Sequence, residues 1–321
     1  MYADTVIGDA LVRKPRFVGG LFAVCFAVFY VLDFSSGAFG DWLLPLVGED
    51  PQTDGAYGRF ISALVLAFLF CANIVALGFL PQAWQIGVVW TELAALFVAF
   101  FLVFNLSFEF IQSKLWFLIT KGAWTTIYVS AISISIAFVI SIVGAIAKLS
   151  NNGFAVAIAS FYTSFFRGLP LLMQVYLIYL GLPQVGFVVG AIPAGIAALS
   201  LCYGAYMTEI FRAGIESIPK GQWEASRAVG LRFGATMRRI ILPQAAPVII
   251  PPTGNQFIAM LKDSSLVSVI GVWELMFLAQ RLGAKTFQHM EMLITVAMIY
   301  WLLTMTLEVV QERIEKHYRR R

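Results

Sequence analysis

Charge is scarce in this chain. Only 12% of the 321 residues are Asp, Glu, Lys or Arg, about half the share that covers the surface of a soluble domain. So little charge excludes an ordinary soluble fold, and much of the exterior must face lipid. Histidine is scarcer still: His289 and His317 are the whole supply, and both lie far from the three cysteines, Cys25, Cys71 and Cys202. This argues against a zinc or haem site, and against acid–base catalysis centred on imidazole. The cysteines all stand in apolar stretches, where they read as small buried hydrophobes rather than disulfide partners. No Gly-x-x-x-x-Gly-Lys-Ser/Thr occurs anywhere, so the chain carries no phosphate-cradling loop of its own. The net charge of +4 does not point to nucleic acid, because the positive residues cluster where a membrane protein places them.

Hydrophobic residues make up 60% of the chain, in runs long enough to cross a bilayer, which takes about 20 apolar residues. The fold class expected is an all-α integral membrane protein with about eight transmembrane helices. They lie near 17–37, 59–80, 84–106, 116–147, 155–181, 186–211, 244–271 and 290–311. The first has Arg13, Lys14 and Arg16 as a positive flank and could be mistaken for a signal peptide. Its apolar stretch is long for one, and Ser35-Ser36-Gly37-Ala38 is a weak cleavage signal, so a retained helix is expected. With the N-terminus inside and strict alternation, sixteen of the twenty-two Lys and Arg fall on the cytoplasmic side, as the positive-inside bias requires. The first outer loop is acidic, with Asp41, Glu49, Asp50 and Asp54. Both termini are thus expected in the cytoplasm.

One polar segment is more than a connection. Residues 212–243 hold six positive charges, Arg212, Lys220, Arg227, Arg232, Arg238 and Arg239, on the side predicted as cytoplasmic. Ser217 to Pro219 should break the preceding helix; Gln222 to Val229 and Phe233 to Ile241 can form two short helices, with Gly230 ending the first. Charge alone would allow a loop that merely enforces topology. The spacing is more specific: Glu224-Ala225-Ser226, three residues, Gly230, nine residues, Ile240, one residue, Leu242-Pro243. It resembles the cytoplasmic EAA loop in the permease subunits of bacterial ABC importers, which runs Glu-Ala-Ala, three residues, Gly, nine residues, Ile, then Leu-Pro. Ser226 for the second alanine is the single departure, small for small. Gly204-Ala205-Tyr206, Glu209 to Gly214, Ile218 to Gln222, Arg167 to Leu172 and Leu261 to Val267 are similar to the polar amino acid branch of that family, with Asp263-Ser264-Ser265 where Asp-Thr-Ser is usual.

The resemblance covers about residues 115–315 and implies that the last five spans form the type I ABC importer permease core, with a basic tail over 316–321. Residues 1–114, with about three spans, form an N-terminal extension without counterpart in that core. The resemblance further implies that 212–243 carries a coupling helix seated in a separate ATPase subunit. There Ala225 and Ser226 would allow close approach, Gly230 a sharp turn, and Glu224 a pair with a basic residue of the partner, while Pro243 would start the next span. ATP and magnesium would be bound by that ATPase and no cofactor by this chain, which would not itself be an enzyme. The other implied partners are a second permease subunit, an extracytoplasmic substrate-binding protein, an amino acid substrate and membrane lipid, in the cytoplasmic (inner) membrane of a bacterium.

Ionisable and amide residues inside spans usually face a bundle interior. Candidates for the substrate path or a gate are Glu209, Asn255, Gln256, Lys262, Asp263 and Ser264. Pro251-Pro252 should interrupt the seventh span, leaving Lys262 and Asp263 roughly 15 Å further along a new helical piece, with Asn255 and Lys262 on one face. A Lys–Asp neighbourhood with amides could hold a zwitterion; equally, the two could pair with other helices to fix packing. Glu92 and Asn73 read as structural, Trp84, Trp90, Trp116 and Trp124 as interfacial anchors, and Arg319-Arg320-Arg321 as a headgroup contact. A secondary transporter working on an ion gradient is the competing class, but such folds tend to carry internal repeats and none is evident. A membrane-embedded enzyme would need a convergent catalytic set that these residues do not supply.

Overall fold

A computed structural model describes residues 14–36, 38–47, 55–103 and 106–319. Glu49, Asp50 and Asp54 of the expected acidic loop, and Arg13, Arg320 and Arg321, lie outside the described residues. No strand occurs among the described residues, and the chain divides into two compact units, Met1–Phe104 and Asn105–Arg321.

The first unit holds α1 (Pro15–Leu32), α2 (Gly55–Leu77) and α3 (Gln82–Val103). Pro15 opens α1, where its missing N–H and fixed φ cost nothing. Ala63, Ala67 and Cys71 repeat every fourth residue on α2, and this stripe of small residues lets α1 approach closely. Cys25, Ala67 and Cys71 form the buried centre, under Leu21, Phe22, Phe26 and Phe29 of α1. Asp33 ends α1 in the left-handed region, φ 50°. The Ser35 hydroxyl donates to it at 2.5 Å and Arg59 of α2 pairs with it, which together hold the Asp33 carboxyl below the ordinary carboxylate range. Asn73 Nδ2 donates to Glu92 Oε1 at 2.9 Å, joining α2 to α3.

The second unit is built around α7 (Ala191–Glu216), most of whose central turns are buried. It packs along α4 (Phe108–Leu149), and glycines set the spacing. A Cβ built on Gly144 of α4 would lie 2.6 Å from Thr208 Oγ1, and one on Gly204 of α7 would lie 2.9 Å from Ile140 Cγ2. Between membrane helices, where lipid gives no hydrophobic drive, such close backbone packing is a main source of association. Around this pair stand α5 (Gly153–Gly168), α6 (Leu171–Val185), α8 (Lys220–Ala228), α9 (Phe233–Ile270), α10 (Leu275–Thr286) and α11 (His289–Arg319). A second core joins Leu118 and Ala123 of α4 to Leu275, Leu278 and Ala279 of α10 and Met292, Val296 and Ile299 of α11. Here Glu274, fully buried, caps α10: its carboxylate accepts from the Met276 and Phe277 amides at 2.8 and 2.7 Å and from the Tyr300 hydroxyl at 2.6 Å. All three cysteines are buried and free.

Five helices among the described residues are long and apolar enough to cross a membrane, and seven if each of two bent pairs is one span. Gln82–Val103 is helical but not among them, so the structure does not reproduce the expected count of eight. Three expectations within the spans need correction. The helix expected over 155–181 is broken, with α5 and α6 meeting at 107°. Pro170 has no N–H and forces Leu169 into an extended conformation, φ −98° and ψ 139°. The buried Gln174 amide fixes the bend by donating to the Phe166 and Leu169 carbonyls at 2.8 and 2.9 Å. The opposite holds at Pro251-Pro252, where no interruption occurs and the α-helix runs unbroken from Leu242 to Asp263. Prolines are tolerated in such a helix where neighbouring groups bond and pack around it. Gln311 Nε2 of α11 donates to the Pro251 carbonyl at 3.1 Å and Thr253 Oγ1 to the Ile249 carbonyl at 2.8 Å, while the carbonyls that the two rings leave without a helical donor are those of Pro247 and Val248, one turn earlier. Finally, the helical piece beginning at Phe233 does not stop before Pro243. It widens into a π turn over Met237–Ile241 and continues directly into Leu242–Asp263.

Candidate functional site

The break between α5 and α6 opens a cavity of about 410 Å³, lined by Arg167 to Leu171, by Cys202, Tyr203 and Tyr206 of α7, and by Gln256 and Asp263 of α9. One formal charge of each sign faces it. The Tyr203 hydroxyl donates to Asp263 Oδ2 at 2.7 Å and fixes that carboxylate. The Arg167 guanidinium lies over the Tyr206 ring, 5.4 Å from its centroid, and one nitrogen stands 3.9 Å from Glu209 Oε1. That distance is a weak contact, and Arg167 remains more than one-third exposed, so the guanidinium is free to take a second anion.

The sequence candidates separate by helix phase. Gln256 and Asp263, seven residues apart, share the face that lines this cavity. Asn255 and Lys262, also seven apart, share the next face and line a different pocket of about 430 Å³ with Glu308, Gln311, Glu312 and Glu315 of α11. Gln311 donates to Asn255 there at 2.9 Å. Lys262 and Asp263 therefore do not form one site. Ser264 is buried and returns its hydroxyl to the Leu261 carbonyl at 2.7 Å. Glu209 does not line the cavity: it accepts from Lys148 and, at 2.9 Å, from Arg212, which also holds Glu216.

Arg167, Tyr203 and Tyr206 line the cavity and were not among the residues expected on the substrate path. Arg167 lies at the end of its helix, and tyrosines are unremarkable in a membrane protein. A signal was present all the same: Arg167-Gly168-Leu169-Pro170 places a cation three residues before a proline in the middle of an apolar run.

The basic segment is built differently. In α8, Ser226 is buried and donates to the Gln222 carbonyl at 2.6 Å, whereas Glu224 and Ala225 face outward. Gly230 adopts φ 75° directly after the helix; its amide bonds the Arg227 carbonyl and the Leu231 amide the Ser226 carbonyl, each at 3.0 Å. This paired closure of a helix needs a left-handed residue, which glycine supplies without steric cost. Trp223 stacks on Phe233, centroids 6.4 Å apart, and Gln244 Nε2 donates to Gln222 Oε1 at 3.2 Å, so α8 is tied to the start of α9. Ile240 is half-buried and Leu242 and Pro243 are exposed. Val229 and Phe233 are 73% and 62% exposed, leaving an outward surface of Glu224, Ala225, Val229 and Phe233 uncovered.

A helical membrane bundle with a charged cavity and a basic segment outside its core defines a multi-pass membrane permease. The chain belongs to the family of binding-protein-dependent transport system inner membrane components, whose model matches residues 137–320, all within the second unit. It is 38% identical over 209 residues to the L-cystine transport system permease protein TcyB of Bacillus subtilis, covering 65% of this chain and 89% of that one. The arginine transport system permease protein ArtQ of the same organism is 39% identical over 199 residues, 62% of this chain and 91% of that one. A crystal structure of an amino acid ABC transporter with histidines superposes with a TM-score of 0.62 at 35% identity, over 66% of this chain and 99% of that chain. An inward-facing MetNI methionine ABC transporter shares the fold, with a TM-score of 0.55 at 23% identity, over 64% of this chain and 98% of that one.

Proposed function

We propose that this chain is the transmembrane permease subunit of an ATP-driven amino acid importer. It forms the translocation path and is coupled through the segment 212–243 to a separate ATPase that binds ATP and magnesium. The observation that carries this reading is the cavity between Arg167 and Asp263. An amino acid presents a carboxylate and an ammonium a few ångströms apart, and one guanidinium with one oriented carboxylate is the matching pair of charges. Relatives named for cystine and arginine transport support the substrate class and leave the individual amino acid open. The uncovered outer surface of α8 supports the coupling role: small Ala225, acidic Glu224 and apolar Val229 and Phe233 can seat in a groove of a partner. A second permease subunit, an extracytoplasmic binding protein and lipid of a bacterial inner membrane complete the assembly, with α8 and both termini in the cytoplasm.

Co-purification from cells in detergent tests this. A stoichiometric nucleotide-binding subunit is expected to accompany the chain, and Glu224→Lys is expected to reduce its recovery about ten-fold while the permease keeps its gel-filtration profile. A chain that purifies alone and moves amino acids into liposomes without ATP would sink the reading in favour of ion-coupled transport.

A further inference from the structure

The charges around the cavity have a consequence for which amino acids it accepts. Among the described residues, Arg167 and Asp263 are the only Asp, Glu, Lys or Arg in its lining. If they take the carboxylate and ammonium of a bound amino acid, nothing ionised is left for its side chain. The groups behind the lining are balanced too. Glu209 and Glu216 are matched by Lys148 and Arg212, so that cluster with Arg167 and Asp263 holds three positive and three negative groups. A neutral zwitterion leaves that balance unchanged, whereas a cationic or anionic side chain would add a net charge to a site inside a membrane bundle, where an unpaired ion is costly.

The remaining lining is Gln256, Cys202, the two tyrosines and the apolar turn Gly168 to Leu171. Tyr203 already donates to Asp263, and the Tyr206 ring lies under Arg167. Gln256 is half-buried on α9, two turns before Asp263, and its amide has no partner among the described residues. A primary amide both donates and accepts, so it can read a polar side chain without demanding charge.

We infer that the cavity selects amino acids with uncharged side chains and that Gln256 is the residue that reads the side chain. This rests on the cavity being the amino acid site, and the test separates the two. The full complex of permease and ATPase is purified without a binding protein, whose own selectivity would mask that of the permease. Calorimetric titration with L-glutamine, L-serine, L-arginine and L-glutamate is then compared among wild type, Gln256→Glu and Asp263→Asn, each checked by gel filtration. Wild type is expected to bind glutamine or serine at least about 100-fold more tightly than arginine or glutamate, the discrimination typical of a site that would leave an ion unpaired. Gln256→Glu is expected to raise arginine affinity about ten-fold or more and to weaken glutamine. Asp263→Asn is expected to abolish binding of all four. Wild type that binds arginine or glutamate as tightly as glutamine overturns the inference, as does Gln256→Glu with unchanged preferences. Undiminished binding by Asp263→Asn, or no binding of any of the four to wild type, overturns the amino acid site itself.

Discussion

Gly230→Val is expected to cut ATP-driven uptake more than about ten-fold while leaving the permease folded and membrane-inserted. Gly230 holds φ 75°, and two backbone hydrogen bonds depend on it, from its own amide to Arg227 and from Leu231 to Ser226. A β-branched residue in the left-handed region is strained by about 1–2 kcal/mol. No atom lies within 4 Å of a Cβ built there, so the penalty is conformational rather than a clash. The cheapest relief is to rotate Gly230 out of the left-handed region. That breaks the helix closure and swings the outward surface of α8 away from the direction set by its ties to Phe233 and Gln244. Gly230 belongs to neither hydrophobic core, so the fold of the bundle is expected to survive. Uptake and ATP hydrolysis in proteoliposomes measure the effect, with Gly230→Asn as the companion, since asparagine tolerates the left-handed region. If valine and asparagine at 230 transport equally well, the geometry of this turn is not what couples the two proteins.

Glu274→Ala is expected to be the more damaging change for the fold, by about 3 kcal/mol. The carboxylate is fully buried and satisfies three donors at once: two first-turn amides of α10 and the Tyr300 hydroxyl. Alanine leaves all three without an acceptor in a dry core and opens a void between α10 and α11. For a unit of this size the loss corresponds to a fall of about 6–12 °C in the thermal midpoint, measurable in detergent. Glu274→Gln keeps one acceptor oxygen and should lose about one-third as much. A midpoint that does not move in Glu274→Ala would mean that water or a rearranged neighbour replaces the carboxylate. In neither variant does the Arg167–Asp263 cavity lose a lining group, so the loss should appear first in stability.

The membrane class was legible from the scarcity of charge, and the basic segment from its spacing, because both are local properties of the chain. Gly230 read as a helix stop, and it sits at one. The cavity was only half legible. Asp263 and Gln256 stood out as polar groups in an apolar span, but so did Lys262 and Asn255, and the first pair faces a different pocket from the second. Neighbours in sequence point about 100° apart on a helix, and nothing in one sequence says which direction is inward. Proline misled in both directions. Pro170 turned out to be a break because Gln174 stands ready to bond the freed carbonyls. Pro251 and Pro252 did not, in a helix that Gln311, sixty residues away, holds to α11 through the Pro251 carbonyl. Tertiary contacts of that kind lie outside what local proline rules see.

The π turn at Met237–Ile241 has a torsional meaning. It lodges one surplus residue in an otherwise regular helix, between Phe233, which stacks on Trp223 of α8, and the length that carries Gln244, Gln256 and Asp263. That residue sets the angular phase between the two ends, as a spline fixes one gear against another on a shaft. Removing it would leave both ends intact in sequence yet turn one against the other by about 100°. With Phe233 still stacked on Trp223, Gln256 and Asp263 would then face away from Arg167. The working angle of the permease is thus stored in a single wide turn that adjoins one of the two surfaces whose relative orientation it governs and stands well before the other.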